Sequence, residues 1–254
     1  MEKKKRNKHK KKEINNKIEI SKINDTNETK ITEKEAKPKK ERITLPKYTL
    51  GEELISSISH GVGALLSIAA LILCIVFAAI KHDTLAVIAS CIYGSSLVIL
   101  YLMSCLYHAL KPNKAKKVFR VFDHCSIFLL IAGSYTPFLL ITIGGTKGII
   151  MLIVMWIATI IGIVLNSINL EKYDKLSFVL YLVMGWMVVF SFKQLLETLP
   201  TPGFVLLLIG GIIYTVGAVI YVIGDKIKYM HSVWHFFVLG GSIFQFFTIF
   251  LYVI

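Results

Sequence analysis

Five of the seven histidines in this 254-residue chain fall in or at the edge of apolar stretches: His60, His108, His124, His231 and His235. His231 and His235 are i, i+4, so on a helix they share one face. Ser104 and His108 have the same spacing, and Glu53, Ser57 and His60 run i, i+4, i+7 along a third face. Three imidazoles drawn from two helices can present three nitrogens to one metal ion. Zn²⁺ favours tetrahedral sites of this kind, and an open fourth position holds a water. Bound Zn²⁺ lowers that water's pKa to about 7, which makes hydroxide available for attack on a carbonyl. A single histidine near a helix end usually sits at headgroup level without chemistry, and HxxxH alone is a weak motif. The two i, i+4 pairs, Ser104 with His108 and His231 with His235, together with Asp123 form a much more specific pattern.

The elements that must position these residues are membrane helices. Hydrophobic residues make up 55% of the chain, too many for a soluble domain of this size. Seven apolar stretches follow Pro46, at about 54–80, 85–109, 118–141, 148–168, 176–195, 204–223 and 231–253. Each has roughly the 20 residues a helix needs to cross the hydrocarbon core. The breaks between them carry charge, Gly or Pro: Lys81-His82-Asp83, Lys111-Pro112-Asn113, Gly144-Gly145-Thr146-Lys147, Glu171-Lys172-Tyr173-Asp174, Pro200-Thr201-Pro202-Gly203 and Gly224-Asp225-Lys226. Pro137 lies inside the third stretch and is expected to kink it. The fold class is therefore all-α, a seven-transmembrane helix bundle in the cell membrane.

Charge distribution sets the expected orientation. Residues 1–47 hold 17 of the 29 Lys and Arg, and 8 of the 16 Asp and Glu. This segment lacks aromatic residues, and we expect a disordered basic cytoplasmic tail ahead of a membrane domain over 48–254. It has no apolar region followed by a small-residue cleavage site, so no removable signal peptide is expected. Lys111, Lys114, Lys116, Lys117 and Arg120 crowd the connection between the second and third stretches, whereas Lys81, Lys147 and Lys193 stand singly on the other side. The positive-inside rule then places the N-terminus in the cytoplasm and the C-terminus outside. On that topology His60, His108, Asp123, His124, His231 and His235 all lie near cytoplasmic helix ends. Ionisable groups at membrane depth usually face a cavity or a partner. Asp123 and His124 are adjacent, so about 100° of helix rotation separates them and both cannot face one ion squarely; Asp123 is the favoured one.

The net charge of +13 comes largely from the tail and loops and does not indicate nucleic acid. Cys74, Cys91, Cys105 and Cys125 lie in apolar stretches without CxxC spacing and read as small packing residues. No phosphate loop or serine-hydrolase elbow is visible.

Four segments together resemble the hemolysin III branch of the progestin and adipoQ receptor superfamily, a group related more distantly to adiponectin receptors and alkaline ceramidases. They are EELISSISHGVGA at Glu52–Ala64, SCLYH at Ser104–His108, FDHCSIFLLIAGSYTPF at Phe122–Phe138 and HSVWHFFVLGG at His231–Gly241. The resemblance implies that His108, His231 and His235 are zinc ligands. It further implies that Asp123 and Ser104 face the metal-bound water, Asp123 to orient or deprotonate it and Ser104 to hydrogen-bond it or a developing oxyanion. The basic tail is not part of the pattern. The leading expectation is a Zn²⁺-dependent intramembrane hydrolase acting on a lipid amide or ester, with membrane lipids as its partners. The alternatives are a receptor or signalling protein with structural zinc and a pore-forming, hemolysin-like protein. The roles of Glu53, His60 and His124 stay open at this level.

Overall fold

The computed structural model describes residues 16–19, 21–22, 43–224 and 227–254. Residues 16–19 and 21–22 are helical and exposed. The remainder of the expected tail up to residue 42, and Asp225 and Lys226 in the break before the last helix, lie outside the described residues.

The described residues contain helices and no strand. In chain order they are α1 (Leu50–Ile80), α2 (Thr84–Ala109), α3 (Lys114–Pro137), α4 (Gly145–Gly185), the short α5 (Phe192–Thr198), α6 (Thr201–Gly224) and α7 (Met230–Tyr252). The local sequence explains their starts. Thr49 and Glu52 form a reciprocal capping box at α1, with Thr49 Oγ1 accepting from Glu52 N and Glu52 Oε2 accepting from Thr49 N. Asp83 caps α2 by accepting from Ala86 N at 2.9 Å. Asn113 caps α3 by accepting from Lys116 N at 2.8 Å. Pro137 ends the regular part of α3, and Phe138–Ile143 continue as a π-helical turn. This is the expected disturbance, since proline removes a backbone donor and crowds the carbonyl one turn back. Gly144 and Gly145 then turn the chain with φ of 57° and 56°, a region open chiefly to glycine.

Six helical stretches among the described residues are long and apolar enough to cross a membrane, against the seven expected. The difference lies in 145–198, one 54-residue stretch in place of the spans 148–168 and 176–195. Its first helix, α4, is 41 residues, or ~60 Å if straight, about twice the ~30 Å hydrocarbon core. It is not straight. Asn169 takes extended dihedrals (φ −162°, ψ 94°) and its Oδ1 accepts from Lys172 N at 3.0 Å, which caps the second arm. The chain folds back there: Asn166 Oδ1 accepts from Ser177 Oγ at 2.6 Å, and Asn166 Nδ2 donates to Tyr181 Oη at 3.4 Å. Eleven residues of unbroken helix would put such partners ~16 Å apart.

α1 packs along α2 and against α7; α3 packs on α2 and α4; α6 pairs with α7. Gly63 lets α1 lie on the ring of Tyr101 of α2: a Cβ there would come within 2.5 Å of Tyr101 Cδ1. Tyr101 Oη in turn donates to Ser242 Oγ of α7 at 2.7 Å, and Tyr214 Oη of α6 meets the same hydroxyl at 2.7 Å. This shared hydroxyl ties three helices together inside the bundle. Outward faces are apolar. On α4, Ile153, Ile157, Ile160 and Val164 stand exposed at helical spacing, a surface suited to lipid rather than water.

Candidate metal centre

α7 begins with Tyr229 in the left-handed region (φ 67°), and its backbone N–H donates to Glu52 Oε1 at 2.8 Å. The first two turns of α7 thereby start against α1, where Ser56 Oγ and Ser232 Oγ meet at 3.1 Å. His231 and His235 project from these turns with their Nε2 atoms 3.3 Å apart. α2 ends beside them and delivers His108 from its last turn. One ring nitrogen from each of His108, His231 and His235 lies within 4.8 Å of the other two, and all three side chains are buried. The two-helix grouping expected from spacing is present.

The donor set suits a cation. Metal–nitrogen bonds of about 2.0–2.1 Å in tetrahedral array separate two ligand nitrogens by about 3.3 Å, the spacing His231 and His235 show. His108 Nε2 is buried with no hydrogen-bond partner among the described residues, a costly state for a ring nitrogen unless something fills it. His108 Nδ1 meets Glu53 Oε2 at 2.7 Å. Glu53 Oε1 accepts from Lys116 Nζ at 2.7 Å, and Lys116 Nζ also donates to Leu110 O at 2.8 Å.

Two chambers lie in this part of the bundle, a polar one lined by His231 and an apolar one that reaches Asp123 and His60. The larger, 310 Å³, is walled by apolar side chains of α3, α4, α6 and α7, among them Leu130, Met151, Leu207 and Val238. Asp123 and His60 are polar members of its lining. Asp123 is buried beside Ser104 and within electrostatic reach of His108. Ser104 Oγ is likewise buried, on the Asp123 side of the cluster. His60, three turns into α1, packs its ring 3.9 Å from that of His235 and edge-on to Tyr101, and neither of its nitrogens has a partner among the described residues. The smaller chamber, 220 Å³, is polar and includes His231, His124, Arg120 and Glu171. Asp123 and His124 thus face different chambers, as their helical offset requires. His124 Nδ1 bonds to Arg120 O at 2.9 Å and does not belong to the three-histidine group.

Sequence reasoning missed three parts of this arrangement. Lys116 reads as one of several topology-setting loop charges, yet it is 2% exposed and bonded to Glu53; nothing in the charge pattern separates it from Lys114 or Lys117. Tyr48 stacks on His231 (centroids 4.8 Å apart, planes at 22°), and its only sequence signal is its place just before the α1 cap. Thr44 crosses the polar chamber's edge: its N–H and Oγ1 donate to Glu171 Oε1 at 3.0 and 2.8 Å, and Arg120 bonds Thr44 O at 2.6 Å while pairing with Glu171.

Apolar helices of spanning length around a buried histidine cluster define a multi-pass helical membrane protein with a candidate metal site at one end of its bundle. Comparison with known proteins makes that class specific. Residues 48–246 match the Haemolysin-III related family, and the chain belongs to it. Hemolysin-3 of Bacillus cereus is 44% identical over 215 residues, 84% of this chain and 97% of that protein. The Hemolysin-3 homolog of Bacillus subtilis (strain 168) is 42% identical over 205 residues, 81% of this chain and 96% of that one. The human Monocyte to macrophage differentiation factor is 27% identical over 181 residues, 68% of this chain and 74% of its own length, a distant likeness consistent with the wider superfamily. No solved structure matches.

Proposed function

We propose that the chain is a zinc-dependent intramembrane hydrolase acting on a lipid amide or ester, with its site near the cytoplasmic face. The observation that carries this reading is the buried convergence of His108, His231 and His235 in the part of the bundle that holds an apolar chamber and a polar one. His108, His231 and His235 would hold the ion. Bound there, Zn²⁺ supplies Lewis acidity that polarises a carbonyl and activates water.

The chain's own residues supply the rest. The apolar chamber takes the hydrocarbon part of the substrate and keeps bulk water from the reacting carbonyl. Asp123 Oδ accepts the proton of the attacking water and returns it to the departing amine or alkoxide as the C–N or C–O bond breaks. Ser104 Oγ–H, buried next to the Asp123 carboxylate, donates to the oxygen on which charge develops.

The same reading places the N-terminus in the cytoplasm and gives seven crossings, with the two arms of the 145–198 stretch crossing in opposite directions. The fold-back at Asn169 and the cluster of Lys and Arg just before and in the first turns of α3 support it. The test is turnover. Purified zinc-loaded protein incubated with a panel of ceramides, acyl esters and N-acyl amines should release free fatty acid from at least one class. A zinc-bound preparation inactive across the panel contradicts the hydrolase and favours a receptor or signalling role with structural zinc.

A further inference from the structure

We infer that Glu53, held by Lys116, is the positioning residue for His108: it keeps the imidazole in the tautomer that carries hydrogen on Nδ1 and presents Nε2 as a lone pair alongside His231 and His235. This rests on the metal reading above and assigns a role to a carboxylate that the three-histidine motif does not include.

The argument is one of donors and acceptors. An ionised carboxylate only accepts, so at 2.7 Å from Glu53 Oε2 the Nδ1 of His108 must be the donor. A neutral imidazole has one N–H, which leaves Nε2 as an acceptor. Nε2 is buried and has no hydrogen-bond partner among the described residues. A ring held in that tautomer, grouped with two further imidazoles, is poised for a cation. Metal-bound histidines commonly donate their other N–H to a carboxylate, which fixes orientation and raises ligand basicity.

The carboxylate is itself fixed. Its second oxygen accepts from Lys116 Nζ at 2.7 Å, and that ammonium also donates to Leu110 O at 2.8 Å, one of the carbonyls that the end of α2 leaves without a helical partner. Lys116 is buried over the ring of Tyr107, 5.0 Å from its centroid. One ammonium therefore closes a loop from Glu53 to the helix end that carries His108. The neighbouring Glu52 does the matching task for α7 through Tyr229 N. Consecutive carboxylates, about 100° apart on α1, thus seat the two helix ends that bring the histidines together. A mere strut between α1 and α3 would need Lys116 and Glu53 but no contact at Nδ1.

The test uses full-length protein in liposomes with ¹⁵N-labelled imidazoles, first without metal, with the His108 signals assigned by their loss in His108→Gln. Wild type should show a pyrrole-type Nδ1 and a pyridine-type Nε2. Glu53→Ala should populate the opposite tautomer, and zinc affinity measured against a competing chelator should fall about 10–100-fold. Glu53→Gln, whose amide oxygen can still accept from Nδ1, should keep the tautomer and recover part of the affinity. Lys116→Met should lower affinity by less than Glu53→Ala does. A wild-type His108 with its hydrogen on Nε2 overturns the proposal. So does Glu53→Ala or, should that variant not fold, Lys116→Met with unchanged zinc affinity and only a lowered melting temperature. Neither result touches the metal reading. Wild type with the expected tautomer that takes up no zinc overturns the metal reading and the coordinating role together.

Discussion

The Nε2 atoms of His231 and His235 stand 3.3 Å apart, one turn apart on α7, and face His108 from the end of α2. Two helix ends far apart in sequence are held in this register by the first turn of α1, which bonds to α7 through Glu52 and to α2 through Glu53. Several consequences can be measured.

Asp123→Asn should leave bound zinc unchanged and lower turnover by about 10²–10⁴-fold, the usual contribution of a general acid–base group. Zinc content and fatty-acid release measured on one preparation separate the two effects. Loss of zinc along with activity would show Asp123 to be needed for the metal itself.

Ser104→Ala should also retain zinc and lower kcat more than it raises KM, since its hydroxyl is assigned to charge that develops during reaction. Steady-state kinetics on the best substrate of the panel reads this directly. An equal loss from KM alone would place Ser104 in ground-state binding.

Gly63→Ala should destabilise the bundle by about 1–3 kcal/mol, the usual cost of overpacking, because the new Cβ would overlap the ring of Tyr101. The melting temperature in detergent should fall. Gly211→Ala is the control, since a Cβ there meets nothing within 4 Å; it should leave the melting temperature close to that of wild type.

The fold-back at Asn169 predicts topology. In a background with the four native cysteines replaced, a single cysteine at Lys172 should react with an impermeant reagent from the same membrane side as one at Lys114. Cysteines at Lys147 and Thr201 should react from the opposite side. Lys147 and Lys172 labelling from one side would exclude two crossings by this stretch.

Much of this was legible before any coordinates. Loop charges and Pro or Gly breaks located the long helices outside 145–198, which they divided into two spans, and i, i+4 spacing picked out His231 with His235. The hydrophobic pattern also separated the two arms of 145–198, but it could not show that they meet in a continuous helical stretch, because Asn169 caps its own successor and leaves little apolar gap. Lys116 escaped notice for a different reason. Burial of a lysine depends on a partner 63 residues away, and no local period encodes that distance. His60 was visible as a polar residue on a face with Glu53, yet its ring contact with His235 depends on how closely α1 approaches α7.

The most direct test of the metal centre is elemental analysis of full-length wild type, His231→Ala and His108→Ala purified side by side without chelators. The account predicts about one zinc per wild-type chain and near-background zinc in both variants, with all three still folded by circular dichroism. Equal zinc in wild type and variants, or none in any of them, would contradict it.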